Sequence, residues 1–549
     1  MIGADAIVKC LEAEGVEMVY GYPGVAICPF YNSILNTDIR TVLIRTEQNA
    51  AHAASGYARI SGKPGVCCVT SGPGATNLIT GIATAFADSI PLICITGQVD
   101  TQLIGSDVFQ EADITGAVES FVKYSYLIRD VNDIPRVFKE AFHIASTGRK
   151  GPVLIDIPAD VQKDTISKFK YPEEVSMRTY KPTVKGNMVQ IKKVAKQLSG
   201  AKRPIICAGG GVLLAGAQEK LQAFSEKFGI PVVSTMMGIG VMPTDHPFYY
   251  GMVGNNGRAY ANRAMNESDF LMFIGARVAD RAVSQNGFDA DNKTLVHIDV
   301  DPAEIGKNVG ATIPIVGDVA CILEDLLNQD ITVESKKWQD TLKEYRKAFA
   351  EYKESHADAL VKKSGDAVDP CEFVEVLSRA LDDNAVYVAD VGQNQIWSCG
   401  NYVMKKGRFL TSGGMGTMGY SIPAAMGAKM ADPSRQVVAV CGDGAFQMSM
   451  MELATIMQEK VDVKIFVMNN EVLGMVREHQ HFVYKDKFSM IDLSQGSPDL
   501  GKLSEAYGIH YKKITSEKNM KKEIEAFLKK KGCGLMECRI LPDEVVRGM

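Results

Sequence analysis

Residues 437–476, "VVAVCGDGAFQMSMMELATIMQEKVDVKIFVMNNEVLGMV", carry two groups able to hold a cation and a phosphate together. One apolar strand ends in Gly442-Asp443-Gly444, and a second, Val463–Met468, ends in Asn469-Asn470. A helix separates them. Both strand ends therefore fall on the carboxyl edge of one parallel sheet, where open α/β sheets bind ligands. The Asp443 carboxylate and the Asn470 amide oxygen are hard donors, suited to a Mg²⁺ that also takes phosphate oxygens. Gly444 lets a diphosphate approach the backbone. A bare Gly-Asp-Gly also serves any turn from strand to helix. The Asn-Asn pair at this distance, with strands on both sides, is what separates the two readings.

The elements that must position these groups can be read along the chain. Its 549 residues suffice for about three domains. Apolar residues make up 46% and charged residues 23%, an ordinary globular balance. The net charge of −5 offers no basic surface for nucleic acid or anionic membrane. There are 12 cysteines and no CxxC pair; Cys67, Cys68, Cys94, Cys207 and Cys441 sit in apolar strand patterns. They read as reduced core thiols of a cytoplasmic protein. The N-terminus lacks the features of a signal or transit peptide, and no apolar run is long enough to span a bilayer.

Strands alternating with helices recur in three blocks, which predicts an α/β protein of three doubly wound parallel-sheet domains. The expected domains are residues 1–165, 186–335 and 365–549. Predicted strands of the first are Met18–Gly21, Thr41–Arg45, Gly65–Thr70, Leu92–Gly97 and Pro152–Pro158. Those of the second are Arg203–Ala208, Ile230–Ser234, Asp269–Ile274 and Thr294–Asp299. The third has Val386–Asp390, Arg408–Leu410, Val437–Cys441, Val463–Met468 and Gly534–Arg539. A polar linker covers 166–188, and a charged helical stretch covers Glu334–Lys363. The blocks share architecture but no short sequence repeat.

Several long motifs occur in order: "GYPG", "TEQNAAHAASGYARISGKPGV", "TSGPGATNLITGIATAFADSIPLICITGQ", "FQEAD", "DVGQNQIW" and "GMGTMGYSIPAAMGA". With the segment above, they resemble the acetohydroxyacid (acetolactate) synthases, enzymes dependent on thiamine diphosphate (ThDP), across essentially the whole chain. The resemblance makes Glu47 the cofactor-activating carboxyl group, set against N1′ of the aminopyrimidine. A partly apolar setting would raise its pKa for that task; the plain alternative is a first-turn Glu complementing the helix dipole. It implies Mg²⁺ held by Asp443, Asn470 and the Val472 carbonyl. Pro23, Asn77, Val391, Gly392, Gln393, Asn394, Gly442, Gly444, Ala445, Leu473, Gly474 and Met475 are carried over as ThDP-binding positions. The Gly416 carbonyl would accept from the 4′-amino group, and Met418 would wedge under the bent cofactor or, more plainly, fill a core gap. Where the family has His, this chain has Asn394, which keeps a hydrogen-bond donor.

The middle block resembles the family's flavin-binding domain. Arg149, Gly209, Gly210, Thr235, Met236, Met237, Gly275, Arg281, Asp299, Val300, Asp318 and Val319 match it, and a structural FAD is implied. Ala279 stands where a second acidic residue is usual. The two ends of ThDP are held by different subunits in this family, so a homodimer or tetramer is implied. A separate regulatory subunit is left open.

The substrate pocket departs from the family at four places. Val25 replaces a Gly that approaches the reacting carbonyl, Ala159 a Lys, Asn255 a Met, and His479 the Trp that favours 2-oxobutyrate as acceptor. Phe109, Gln110 and Arg277 remain, as donor-pocket wall, neighbour of the reacting carbonyl and partner of the acceptor carboxylate. His479 and His481 read as new acid–base groups or as polar rim. The reading that follows is a ThDP- and Mg²⁺-dependent carboligase condensing pyruvate with a second 2-oxo acid to 2-acetolactate, a precursor of branched-chain amino acids. Swaps of this size discriminate substrates by about 1–3 kcal/mol, so a different donor or acceptor is the alternative. A catalytically silent homologue and an oxidase-type flavoenzyme are the readings from other classes.

Overall fold

The computed structural model describes residues 1–283, 288, 290, 292–355 and 367–546. Among them are three six-stranded sheets, all parallel. The first holds β1 (Met18–Tyr22), β2 (Arg40–Leu43), β3 (Gly65–Val69), β4 (Leu92–Gln98), β5 (Tyr124–Leu127) and β6 (Pro152–Pro158). The second holds β7 (Pro204–Ala208), β8 (Val232–Ser234), β9 (Tyr249–Met252), β10 (Phe270–Ile274), β11 (Thr294–Asp299) and β12 (Ile313–Val316). The third holds β13 (Val386–Ala389), β14 (Arg408–Leu410), β15 (Val437–Gly442), β16 (Lys464–Asn469), β17 (His510–Ile514) and β18 (Gly534–Arg539). This is the α/β architecture of three doubly wound sheets expected from the pattern. Central strands such as β3, β4 and β6 are buried at every position. Helices on both faces require that, which is why these strands read as unbroken apolar runs.

Strand order is where ligand positions are decided. The first and third sheets run β2-β1-β3-β4-β6-β5 and β14-β13-β15-β16-β18-β17, the same order in chain terms. The middle sheet runs β12-β11-β10-β7-β8-β9, the doubly wound dinucleotide-binding order. In each sheet the chain sets off in opposite directions from two adjacent inner strands, opening a crevice at the carboxyl ends: β1/β3, β7/β10 and β13/β15.

The four strands not anticipated, β5, β9, β12 and β17, are all at sheet edges. The helix expected in Glu334–Lys363 runs over Lys336–Ser355; positions 356–363 lie outside the described residues.

The first and third domains meet through two small-residue helices, Glu47–Ser61 and Ser421–Ala431. A Cβ on Gly56 would lie 1.9 Å from the Ala424 carbonyl oxygen, and one on Gly427 would lie 1.9 Å from that of Ala53. The backbones cross in contact, and a buried Ser55–Tyr420 hydroxyl pair at 3.0 Å fixes the register. Gly427→Ala should therefore cost about 1–3 kcal/mol of stability, measured by chemical denaturation, because backbone rather than a flexible side chain must yield. An unchanged midpoint would show that the crossing can relax.

Candidate active site

The crevice of the third sheet lies between the ends of β13 and β15. Asp443 follows β15 as the first residue of the helix Asp443–Ser449. It is buried, with Oδ1 accepting from the Gly444 N–H at 3.0 Å and Oδ2 from the Glu471 N–H at 2.8 Å. Burial pushes its carboxyl up to about 6 against the pull of these two N–H donors. Asn470, also buried, donates to Gln393 Oε1 at 3.4 Å, and its Oδ1 accepts from the Val472 N–H at 3.3 Å. Gly474 leaves room for the Gln393 amide, since a Cβ would sit 1.9 Å from Gln393 Oε1 and displace that side chain. Gln393 also donates to Glu478 Oε2 at 2.9 Å and the Glu544 carbonyl at 2.7 Å, tying the helix Gly474–Tyr484 and the tail to the site. Asn394 spends its amide on the carbonyls of Asp390 (3.0 Å) and Val440 (3.1 Å), holding β13 to β15; its Oδ1 faces Gly392 and Gly442.

Asp390, the residue after β13, went unassigned in the sequence. It is wholly buried and accepts from the N–H groups of Val391 (2.8 Å), Gly419 (2.9 Å) and Ser421 (2.7 Å). Burial pushes its carboxyl up despite those donors. Its work is to pin the loop carrying Gly416 and Met418. The Met418 methyl reaches within 3.5 Å of where a Gly444 Cβ would stand, and nothing lies within 4 Å of that point on Gly416, whose φ is +71°. The available signal was a charged residue closing an apolar strand. A cleft of about 500 Å³ opens beside Asn470, Glu471, Val472 and Arg477. No group of three His, Cys, Asp or Glu side chains converges among the described residues. A cation here would thus depend on Asp443, the Asn470 amide and the Val472 carbonyl plus ligand oxygens, which is hard-cation chemistry.

Glu47 opens its helix and accepts from Asn77 Nδ2 at 3.0 Å; its other oxygen lies 3.3 Å from where a Gly74 Cβ would be. Glu452 of the third domain is fully buried at the same helix start. It accepts from the Arg45 N–H at 3.0 Å, Asn49 Nδ2 at 3.0 Å and Thr455 Oγ1 at 2.7 Å. A carboxylate of one domain therefore holds the backbone before Glu47 and the Asn49 side chain after it, a role unnoticed in "MELAT". The hydrogen bonds of Glu47 and those of Asp443 share no partner.

Of the positions expected at the substrate, Pro23 and Val25 follow β1, and Val25 is 87% exposed. Phe109 is 86% exposed. Gln110 sits in the left-handed region at φ +59°, with a Gly72 Cβ position only 2.9 Å from its Cα. Arg277 is half-buried, and its charge, with that of Arg59, counters the upward push of burial on Asp88. Ala159 is buried behind β6, and the Asn255 N–H donates to the Arg281 carbonyl at 3.2 Å. His479 is exposed with its ring 5.7 Å from that of Tyr484, and His481 pairs with Asp486 at 2.5 Å. Both histidines thus stand on the open face of their helix, as rim residues would.

The crevice of the middle sheet lies between Gly209 and Gly275. Gly209 and Gly211 serve close packing, with Cβ positions 2.3 and 2.7 Å from Gly275 atoms, while Gly210 faces Met237. Met237 also abuts Gly413 of the third domain, and the Thr235 N–H donates to the Ala208 carbonyl at 3.0 Å. Met236 packs partly buried against the third domain's core. Arg149 of the first domain reaches Glu304 at 2.8 Å, Asp301 at 3.3 Å and Ser89 Oγ at 3.0 Å. All three domains therefore border this crevice. Burial pushes Asp299 up to about 6. Asp318 caps the helix Val319–Leu327 and, with Val300, lines a cleft of about 670 Å³; Val319 is buried and Arg281 exposed.

Three family models match the chain in succession. They are the thiamine pyrophosphate enzyme N-terminal binding domain over residues 1–117, the central domain over 191–326 and the C-terminal binding domain over 390–538. A Methanocaldococcus jannaschii protein named probable acetolactate synthase large subunit is 44% identical, over 100% of this chain and 93% of its own. The Arthrospira platensis acetolactate synthase is 42% identical, over 99% of this chain and 94% of its own. For the Corynebacterium glutamicum acetolactate synthase large subunit the figures are 43%, 92% and 82%. With three thiamine pyrophosphate enzyme domains in order and relatives this similar over nearly its full length, the chain belongs to the acetolactate synthase large-subunit family of ThDP-dependent enzymes.

Proposed function

We propose that this chain is a Mg²⁺- and ThDP-dependent carboligase that decarboxylates pyruvate and joins the remaining two carbons to a second 2-oxo acid. The product from two pyruvates is 2-acetolactate, a branched-chain amino acid precursor. One observation carries the reading: among the described residues, Asp443 is a buried carboxylate held by backbone N–H donors at the ligand crevice of the third sheet. It fits a cation, which would supply the missing countercharge, and Gly416 leaves open space where a side chain would stand. Asp443, Asn470 and the Val472 carbonyl would hold Mg²⁺. Val391, Gly392, Gln393, Asn394, Ala445, Leu473, Gly474 and Met475 would line the diphosphate, with Gly416 and Met418 at the aminopyrimidine. ThDP supplies the electron sink for loss of CO₂ and for transfer of the two-carbon unit.

The protein's own residues then bind, orient and move one proton. Glu47, oriented by Asn77, holds a proton at N1′. Arg277 pairs with the acceptor carboxylate, while Gln110, Phe109 and Val25 shape the pocket around the reacting carbonyl. Exposed Val25 and Phe109, and the separate partners of Glu47 and Asp443, support an assembly of at least two copies. In it the first domain of one faces the third domain of the other. The dinucleotide-type strand order and Arg149 at a three-domain crevice support a structural FAD. The large-subunit names of the relatives support a separate regulatory partner. None of the twelve cysteines, all among the described residues, is joined in a disulfide, which supports a reducing cytoplasm.

The test is a mass-spectrometric product assay of purified protein with ThDP, Mg²⁺, FAD and pyruvate, with and without 2-oxobutyrate. Acetolactate at an enzymatic rate is the expected result; untouched pyruvate would mean that Val25 and the other departures have changed the donor. His479→Trp should raise the ratio of 2-oxobutyrate to pyruvate incorporated as acceptor by about tenfold, the size of a pocket-shape effect. An unmoved ratio would take His479 out of acceptor selection.

A further inference from the structure

Two of the residues proposed to shape the reacting pocket, Phe109 and Gln110, sit on one loop of the first domain, 99–113. Its interior closes largely on itself: Glu111 accepts from the Gly105 N–H and, at 3.2 Å, from the Val108 N–H. Left-handed backbone at Gln110, φ +59°, is uncommon for a residue with a side chain and persists where the surrounding structure holds it. One tie runs to the helix Ala159–Lys163 after β6 and one to the sheet. The first is Asp160, which accepts from the Thr101 N–H at 3.0 Å and from its hydroxyl at 2.5 Å. The other is a single side chain, Gln98, at the end of β4.

Gln98 is 4% exposed and every polar atom of its amide is used. Its Oε1 accepts from the Val99 N–H at 2.9 Å, the first residue of the loop. Its Nε2 donates to the Ala112 carbonyl at 2.8 Å, near the last, and to Asp156 Oδ2 at 3.0 Å. Asp156 is buried on β6, directly across from Thr96 on β4, whose hydroxyl donates to its Oδ1 at 2.7 Å. Because a carboxylate oxygen accepts and an amide nitrogen donates, Asp156 dictates which way the Gln98 amide faces, and hence which loop group each end takes.

We propose that Gln98 and Asp156 are positioning residues of the carboligase pocket: Gln98 staples the two ends of the 99–113 loop together, Asp156 orients the staple, and Gln110 and Phe109 are presented to the substrate in consequence. The arrangement survives a change of charge. Burial, reinforced by Asp113, pushes the Asp156 carboxyl up to about 7, yet the Thr96 hydroxyl can reverse and accept when Oδ1 carries a proton. The Gln98–Asp156 bond is kept in either state.

The proposal rests on the carboligase reading for its kinetic arm only. Chymotrypsin applied to the holoenzyme, with cleavage after Phe109 followed by mass spectrometry, reports loop order without turnover. Q98L should be cut about tenfold faster than wild type, as expected of a segment whose local opening has become easier. Its kcat/KM for pyruvate should fall about 100-fold, as misplaced positioning groups do, while ThDP affinity by calorimetry stays within about threefold. D156L should behave as Q98L, and D156N, which can still accept from Gln98 while donating to Thr96, should recover at least about tenfold of the D156L loss. If Q98L does not fold, the D156L and D156N pair carries the same test. Unchanged cleavage after Phe109, no recovery in D156N, or a ThDP affinity that falls in step with kcat/KM would each overturn the proposal. Wild-type protein inert toward pyruvate would overturn the carboligase reading instead, and the cleavage result would still decide the staple.

Discussion

Glu47→Gln should lower kcat for acetolactate formation by about 1000-fold, the scale of a lost general acid–base group, with ThDP affinity held within about threefold. The substitution keeps shape and hydrogen bonding. Gln can still accept from Asn77 Nδ2, which now reaches the Glu47 carboxylate at 3.0 Å, and the helix start stays pinned by Glu452 through Arg45 and Asn49. What Gln cannot do is hold and release a proton at N1′. A loss in kcat without a matching loss in cofactor binding marks an interaction used in the reaction rather than in assembly. Steady-state rates and calorimetric titration of ThDP check it. A loss smaller than about tenfold would reduce Glu47 to a helix-start carboxylate whose role is electrostatic.

Most of this site could be read from residue order, and the parts that could not share a physical cause. The central strands were legible because burial on both faces demands apolar runs, as in "VVAVC" and "KIFVM". β5 (YSYL), β9 (YYGM), β12 (IPIV) and β17 (HYKKI) were missed because each pairs on one side only. An edge strand need not be uniformly apolar, and β17 with two lysines reads as a surface segment. Glycine motifs were legible as sites of close approach, but not for what approaches: Gly209 and Gly211 meet Gly275, and Gly56 and Gly427 meet the facing helix. The buried carboxylates were the least visible. Asp156, Asp390 and Glu452 are each defined by donors distant in sequence, which no local pattern records. Their common task is to fix backbone near groups the motifs did reveal.

Asp443→Asn should weaken Mg²⁺-dependent ThDP binding by at least about 100-fold, since removing a ligand costs no less than removing the groups that support one. The same change should improve the relative stability of the cofactor-free protein as pH rises from 4 to 8. The sign follows from the carboxyl's position. Burial raises Asp443 to about 6, above its ordinary value of 3.8, so the folded apo protein favours the protonated form. The penalty for ionising it in place is absent below the ordinary value, grows between about pH 4 and 6, and is complete above, at roughly 2–3 kcal/mol. Asn carries no such penalty, but its Nδ2 cannot accept from the second of the two N–H donors, a loss that does not depend on pH. The stability of apo D443N relative to wild type, read by denaturation, should therefore be better at pH 8 than near pH 4. Adding ThDP and Mg²⁺ should favour wild type, because binding stabilises only the chain that can bind. A residue kept in place against the stability of the empty protein is what a ligand site predicts, since activity often occupies strained or under-compensated groups. A stability difference between apo D443N and wild type that does not change from pH 4 to pH 8, or cofactor affinity retained in D443N, would show that Asp443 serves the turn after β15 and not a metal.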